Sequence, residues 1–451
     1  MNGSTKGTQP DSPVRRSPSN RPRLAVVGGG ASGLTLAWML QDDYEVSVFE
    51  RGPEVGGNWS TINIDGTNIE MGAVKVFDHN RHLRRLCELM GMSLTVDQVF
   101  PDGAVKWDDT FRLHYPHVKS KAARGALMGA SFGYLLTYLG LYHALEPARR
   151  RMPSSMGGLK LRHVDKLTGL AFAPRSLRET VRAFLWMGAL TYEEIDESGF
   201  MGLMANVDNN FAGFGRFRIF NIDQGFQGLA RALARSNPNS RIECGAEVLE
   251  VRDDPEFEGR PEMQLRWRRE DGGEELETFE HVVFACPPWR AAQILRVRAA
   301  EPVRRRLEKF VNAPNRVSLH DDEAIVKRSG MVQLTVDAKA YYASLRTGVR
   351  NLWKSYQSFP TPERFAHPRR DSIEDEKVFD TDAFRAVDEV RAMNSDAVQG
   401  VANTWYIHNA YHPSLVRNGE QAVEQAMGLC RRLAPDSPRL AALEVAPQPV
   451  G

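Results

Sequence analysis

Cysteine is scarce in this chain. Its 451 residues include four, Cys87, Cys244, Cys286 and Cys430. They lie too far apart for zinc-ligand spacing or a dense disulfide framework, so a reducing compartment, the cytoplasm, is the expected setting. Net charge is also nearly absent: 58 Lys and Arg oppose 57 Asp and Glu. That balance gives no reason to expect nucleic acid as a partner. Residues 1–22 hold no apolar core of the ~7–15 residues that a secretory signal needs. Rich in Ser and Pro, they are expected to form a disordered tail. No internal repeat and no local Ser–His–Asp or Cys–His pattern is visible. His320–Asp321–Asp322 reads as a polar turn, so no metal is expected.

The rest of the composition is ordinary: 42% hydrophobic and 25% charged residues. At ~100–200 residues per domain the length allows two to four domains. The informative part begins at residue 23. The apolar run RLAVV (Arg23–Val27) is followed by GGGASGLTLAWML and then YEVSVFE. Gly28, Gly30 and Gly33 form G-x-G-x-x-G between a strand and a helix, and Glu50 ends the second strand. In that context each residue has a task. Gly28 permits a tight turn, Gly30 lets the backbone approach a pyrophosphate, and Gly33 lets helix and strand pack closely. The helix N-terminus attracts phosphate. Glu50 can accept from ribose hydroxyls and would repel a 2′-phosphate. The chain is therefore expected to bind a dinucleotide other than NADP here.

The next residues distinguish FAD from NAD. RGPEVGGNW (51–59) carries the doublet Gly56–Gly57. TINIDGTNIEMGA (61–73) reads as strand, Asp65–Gly66 turn, strand, closing on Glu70, Met71, Gly72 and Ala73. Downstream come IFNIDQGFQGLARALAR (219–235), a strand with Glu247 and Val248, and a β-meander ending in Ala285–Cys286–Pro287–Pro288. Last is AVQGVANTWYIHNAYHPSLVRNGEQAVEQAMGL (397–429). Taken in this order, the motifs resemble the flavin-containing amine oxidase superfamily over about 23–430. The resemblance implies FAD contacts from Gly28, Gly30, Ala31, Ser32, Gly33, Glu50, Arg51, Gly57, Asn58, Trp59, Met71, Gly72, Ala73, Val248, Ala285, Gly419, Glu420 and Ala422. Gly419 and Glu420 would open a helix whose N-terminus faces the flavin N1–C2=O side. No cysteine stands in a covalent-attachment context, so FAD is expected to be non-covalent. The lysine that many amine oxidases place near flavin N5 would fall near Asn315–Arg316, and none is there. No catalytic residue is assigned. A second G-x-G-x-x-G is missing, which argues against an NADPH-using two-nucleotide enzyme.

The implied fold is α/β: a discontinuous Rossmann-type FAD-binding domain with a β-meander (23–75, 215–300 and 395–435), plus an inserted α+β substrate domain (76–214 and 301–394). Residues 436–451 are expected to be a flexible C-terminal tail. Within the insert, 125–145 contains no Asp, Glu, Lys or Arg, and Gly125, Gly129 and Gly133 are spaced i, i+4, i+8. The segment is long enough to span a bilayer. A span would separate FAD motifs that must meet, which leaves a buried helix or one that touches a membrane surface through its basic flanks, 119–151. The stretch 176–192 with the Glu70–Ala73 turn resembles the polyenoic fatty acid isomerase branch of the superfamily. The expected function is an FAD-dependent oxidoreductase or redox isomerase moving a hydride from an apolar, lipid-like or polyene substrate to flavin N5. The alternatives are an amine or amino-acid oxidase making imine and hydrogen peroxide, and a non-catalytic flavin-bound partner-binding protein.

Overall fold

The computed structural model describes residues 20–73, 75–96, 111–114, 120–151, 158–189, 195–211, 218–253, 262–310, 312–321, 332–337, 340–347, 349, 352–357, 368–377, 386–387, 389–390, 403–412 and 418–448. Of the 1–22 tail, only its last three residues fall within these. Asp322 and residues 413–417 lie outside them.

Five parallel strands form the central sheet, in the order Thr404–Tyr406, His281–Phe284, Arg23–Val27, Glu45–Glu50, Arg241–Cys244. All but the edge strand Arg241–Cys244, which is only partly buried, are short, largely buried runs because both faces are covered. One face carries the first helix, Ala31–Leu40, in which every position from 32 to 40 is buried. It lies between the sheet and the C-terminal helix Gly419–Leu433, which explains why it is apolar all round. The other face is covered by an antiparallel meander, Glu247–Asp253, Met263–Arg268 and Glu274–Phe279. There Trp267 and Phe279 pack against Phe49 with ring centroids 5.3 and 5.9 Å apart. Between the first two parallel strands and the insert stands the hairpin Thr61–Ile64/Thr67–Glu70. Asp65 and Gly66 at its turn have φ of 50° and 79°, as a two-residue I′ turn requires.

The insert contributes helices Lys121–Arg151, Leu161–Thr168, Arg175–Ala189 and Phe200–Phe211. A six-stranded sheet runs in the order 368–377, 312–320, 353–357, 340–346, 332–337, 111–114. The helix over 121–151 includes the charge-free segment. Ser131, Leu135, Tyr138 and Tyr142 form its buried stripe, at the i, i+4, i+7, i+11 spacing of one helix face. Beneath it, the Tyr138 hydroxyl and the Arg182 guanidinium both meet the buried carboxylate of Asp165. The opposite side is thin: a Cβ at Gly125, Gly129, Gly133 or Gly140 would meet nothing within 4 Å. No described helix is long and apolar enough to cross a membrane.

The C-terminus departs from the expected flexible tail. Pro438–Glu444 is a helix with Leu440 and Leu443 buried. The Ser437 hydroxyl accepts from the Leu440 amide and donates to the Met39 carbonyl at 2.8 Å. Arg85 and Arg81 reach the carbonyls of Ala442 and Glu444 at 3.0 and 2.6 Å. Ser at the cap with Pro at the first position is a helix start signal, and two leucines three apart give one apolar face. Leu443→Ala should therefore destabilise the protein by about 2–5 kcal/mol, the usual result of emptying a buried leucine site. Equilibrium denaturation reads this directly. A midpoint unchanged from wild type would mean the segment is dispensable.

Candidate functional site: a glycine cradle under a covering helix

Gly28 sits at φ 112°, and its amide donates to the Phe49 carbonyl at 2.9 Å. A Cβ there would come 2.9 Å from the Ala285 carbonyl oxygen, so the turn and the Ala285 segment touch backbone to backbone. The Ala285 amide in turn donates to Val27. At Gly33 a Cβ would lie 2.0 Å from the Gly28 oxygen, so only glycine lets the first helix lie this close to its own turn. Gly30 differs: its missing Cβ faces open space, the nearest atom being the Gly56 oxygen at 3.9 Å. Gly56 donates to the Gly29 carbonyl at 2.8 Å, and a Cβ at Gly57 would meet only the Gly30 Cα, at 3.5 Å. Gly30 and Gly57 thus line a cradle of bare backbone at a helix N-terminus, where the first-turn amides of Ala31, Ser32 and Gly33 have no partner within the helix. A pyrophosphate fits those donors.

Glu50 braces this loop. One carboxylate oxygen accepts from Gly29 at 2.8 Å and the other from Gly52 at 2.7 Å. Each oxygen retains acceptor capacity for a ribose hydroxyl. The strand carrying Val248 is drawn alongside, because Ala246 donates to the Glu50 carbonyl and Gly245 to that of Gly52, both at 2.8 Å. Val248 is buried and Arg51 is exposed.

The first motif also meets the last. Trp59 is buried, and a Cβ at Gly419 would lie 3.3 Å from its Nε1 and 3.1 Å from Leu83. The Asn58 carbonyl accepts from Ala73 at 2.7 Å and Ser60 from Met71 at 2.8 Å, which folds Met71, Gly72 and Ala73 back onto 57–60. Asn418 caps the covering helix, its Oδ1 accepting from Glu420 at 2.9 Å and Gln421 at 3.3 Å. Ala422 is buried in its first turn. The carboxylate of Glu420, grouped with the cofactor residues by its motif, is used elsewhere: it accepts from the amides of His82 and Leu83 at 2.9 and 2.7 Å, capping helix Arg81–Leu89. The His82 ring lies 2.9 Å from Glu420 and 3.4 Å from Glu424, and Glu424 lies 2.9 Å from His412. Glu420, then Glu424, raise His82 to about 9. Burial opposes ionisation of Glu424, but hydrogen bonds from His412 and His82 hold it down to about 2. This ion-pair clamp fixes the covering helix to helix 81–89. His408, for its part, accepts from the Ala410 amide at 3.2 Å. Burial pushes the Cys286 thiol up to about 12, so it packs as a small apolar group.

Two buried polar atoms here have no hydrogen-bond partner among the described residues: Oε1 of Gln421, in the covering helix's first turn, and the hydroxyl of Tyr411. Buried groups of this kind are normally satisfied, and a bound polar ring system would satisfy them. Together with the open cradle, they make the residues present a fit for FAD.

Three features escape motif reading. Glu70 accepts from the Thr61 hydroxyl at 2.6 Å and from the Phe226 amide at 3.2 Å, seating the second glycine turn at Gly225 on the hairpin. Gln227 donates to the Val55 carbonyl at 2.6 Å, holding the loop before the Gly doublet. Lys354 is buried, 4% exposed, and its Nζ donates to the Glu70 carbonyl. No lysine occupies 315–316, but Lys354 enters from the neighbouring strand, opposite Leu319. Strand pairing, not spacing, brings it to the turn.

Two outcomes follow from this geometry. Gly30→Val should abolish FAD retention while the protein stays folded, because its side chain fills space that only the ligand would use. Gly33→Ala should impair folding itself. Absorbance of the purified variants against their melting curves separates the two, and full flavin content in Gly30→Val would place the cradle elsewhere. The second outcome concerns pH. Burial pushes Glu70 up to about 7 from 4.5. The folded state then keeps a proton that the unfolded chain releases, so this contribution is full below about pH 4.5 and is lost as pH rises to about 7, by at most ~1.4 kcal/mol per unit. Glu70→Gln should flatten the fall in melting temperature across that window; an identical slope in both proteins would remove Glu70 from the account.

Comparison with known proteins agrees with this arrangement. A family model described as flavin containing amine oxidoreductase matches residues 31–344, more than two thirds of the chain. Prenylcysteine oxidase 1 of Bos taurus is 33% identical over 88 residues, 19% of this chain and 17% of that protein. Polyamine oxidase 1 of Oryza sativa subsp. japonica is 44% identical over 62 residues, 13% and 12%. The chain therefore aligns with less than a fifth of the length of either. Among solved structures, a putrescine oxidase variant superposes with a TM-score of 0.63 over 92% of this chain and 99% of its own, at 12% identity, a likeness of fold. The chain belongs to the flavin-containing amine oxidoreductase family, a family of FAD-dependent oxidoreductases, and its cofactor is FAD.

Proposed function

We propose that the protein moves a hydride from a C–H bond of an apolar, lipid-like or polyene substrate, as an oxidoreductase or redox isomerase with non-covalently held FAD. The observation that carries this reading is a continuous apolar cluster. Met71, Cys286, Tyr406 and Tyr411, beside the FAD motifs, belong to the same buried cluster as Leu135, Phe184, Trp186, Phe200 and Met204 of the insert helices. A substrate reaching the flavin side through such surroundings leaves water behind, and apolar walls with a few polar groups are what orient an apolar chain. FAD, when bound, supplies the two-electron acceptor; the protein supplies orientation and a dry site. The Glu70–Ala73 turn, braced by Lys354, Thr61 and the Phe226 amide, positions the wall nearest the nucleotide motifs. The bovine relative's name gives a prenylated cysteine as what that protein oxidises, an apolar chain of this sort.

A second reading is amine oxidation with release of hydrogen peroxide, favoured by the identity shared with a polyamine oxidase over its matched segment. Surface contact with a membrane accompanies the lead reading, with 119–151 as a secondary contact through its basic flanks beside an exposed side uncharged from Gly125 to Gly140. Anaerobic titration of the yellow protein decides between the two chemistries. Prenylated or polyunsaturated compounds should bleach the flavin or emerge with shifted double bonds, while amines leave it oxidised. Bleaching by polyamines, with peroxide on admitting air, would replace the lead reading with the second.

A further inference from the structure

The most exposed large apolar side chains among the described residues are not on the long helix. Phe172 is 84% exposed and Leu167 78%, against 50% for Leu136. They flank Gly169, whose φ of 80° reverses the chain between helix Leu161–Thr168 and the short turn Leu170–Phe172. The reversal is rigidly held. Leu161, Val164 and Leu170 are buried beneath it. The Thr168 hydroxyl donates to the Val164 carbonyl at 3.0 Å, Phe172 to Gly169 at 3.1 Å and Ala173 to Leu170 at 3.0 Å. A protein that needed only to bury a core would place polar residues at such a tip. Single exposed apolar residues are commonplace, but two large ones, lifted off the surface by a glycine reversal, form a prong.

The charges around the prong say what it fits. Between positions 161 and 178 every exposed charged side chain is basic: Arg162, Lys166, Arg175 and Arg178. The single acid in that stretch, Asp165, is buried under the prong and engaged by Tyr138 and Arg182. The neighbouring Glu197 is answered by Lys160 and Arg162, and Glu179 by Arg175. Arg162 and Arg175 are thus shared with acids, which leaves Lys166 and Arg178 as the cations beside the apolar tips, and that combination matches an acyl interior beneath anionic head groups. We propose that the Gly169 reversal is a membrane prong that inserts Leu167 and Phe172 into an anionic lipid surface. This inference is independent of the substrate reading, and its experiment uses no substrate. It also transfers the principal membrane contact from the long helix to the prong, because the glycine side of that helix has little apolar area to bury.

The test is cosedimentation of the flavin-loaded protein with phosphatidylcholine vesicles, with and without about one third phosphatidylserine. Wild type should pellet with the anionic vesicles at about 0.1 M salt and release as salt screens the contact. Leu167→Ala with Phe172→Ala should weaken partitioning by about tenfold or more, and Lys166→Ala by about fivefold. Flavin content and melting temperature should stay unchanged in both. Phe172→Trp should bind as well as wild type or better, since Trp favours the interface. Leu136→Ser should bind like wild type. The proposal is overturned if wild type ignores anionic vesicles, if the double alanine variant binds equally well, or if Leu136→Ser releases the protein as strongly. It is also overturned if the double variant converts a dimer to a monomer without touching vesicle binding, which would make the prong a contact between copies of the chain.

Discussion

The approach of Gly33 to the carbonyl of Gly28 is the contact on which the rest of the molecule depends. No side chain fits between them, so the first helix lies on its own entry turn and its N-terminus opens directly onto the cradle. Once that helix is down, its far side is a flat apolar surface. The covering helix 419–433 and the terminal helix 438–444 both pack there. The covering helix in turn brings Gly419 against Trp59, closing the site with residues some 360 positions apart in the chain. A Cβ at residue 33 would therefore loosen an assembly that reaches from the glycine cradle to the covering helix.

The closure is electrostatic as well as steric. Glu420 caps one helix from the first turn of another, and His82 and His412 share Glu424 beside it. Charged hydrogen bonds of this kind are stronger than neutral ones and, when half-buried, resist screening. Their consequence is positional, since the helix end bearing Gln421, whose carbonyl oxygen has no partner among the described residues, is held over the site before any ligand enters. Preorganisation of this sort reduces the ordering cost of binding.

How legible these features are in the sequence follows from how local their physics is. Gly28, Gly30, Gly33 and Glu50 act on neighbours within one βαβ turn, and the Asp65–Gly66 hairpin is a two-residue event, so spacing alone exposes them. Lys354 reaches the Glu70 carbonyl only because strand 353–357 pairs with 312–320, a register that no motif records. The same applies to Glu420: its motif position suggests the cofactor, while its carboxylate answers amides 338 residues earlier. The terminal helix was readable in principle from Ser437, Pro438 and the two leucines. It is too short to stand by periodicity and exists because Met39, Arg81 and Arg85 offer it a seat.

One constraint links the site to the long helix and its charge-free segment. The cradle uses 28–59, the meander and Ala285 supply its floor, and Gly419 supplies its lid, so the chain leaves the nucleotide site before the insert and must return to it afterwards. Helix 121–151 lies inside that excursion, and both its ends belong to the same side of any barrier. Its buried stripe, Ser131 to Tyr142, satisfies the half of the helix that faces the insert. Its exposed uncharged side is mostly glycine and alanine, with Leu136 its one large apolar side chain and that only half exposed, less apolar surface than insertion calls for. A lipid surface approached by this protein therefore has to be gripped by side chains that stand out from the fold, and in the insert those are the ones at the Gly169 reversal.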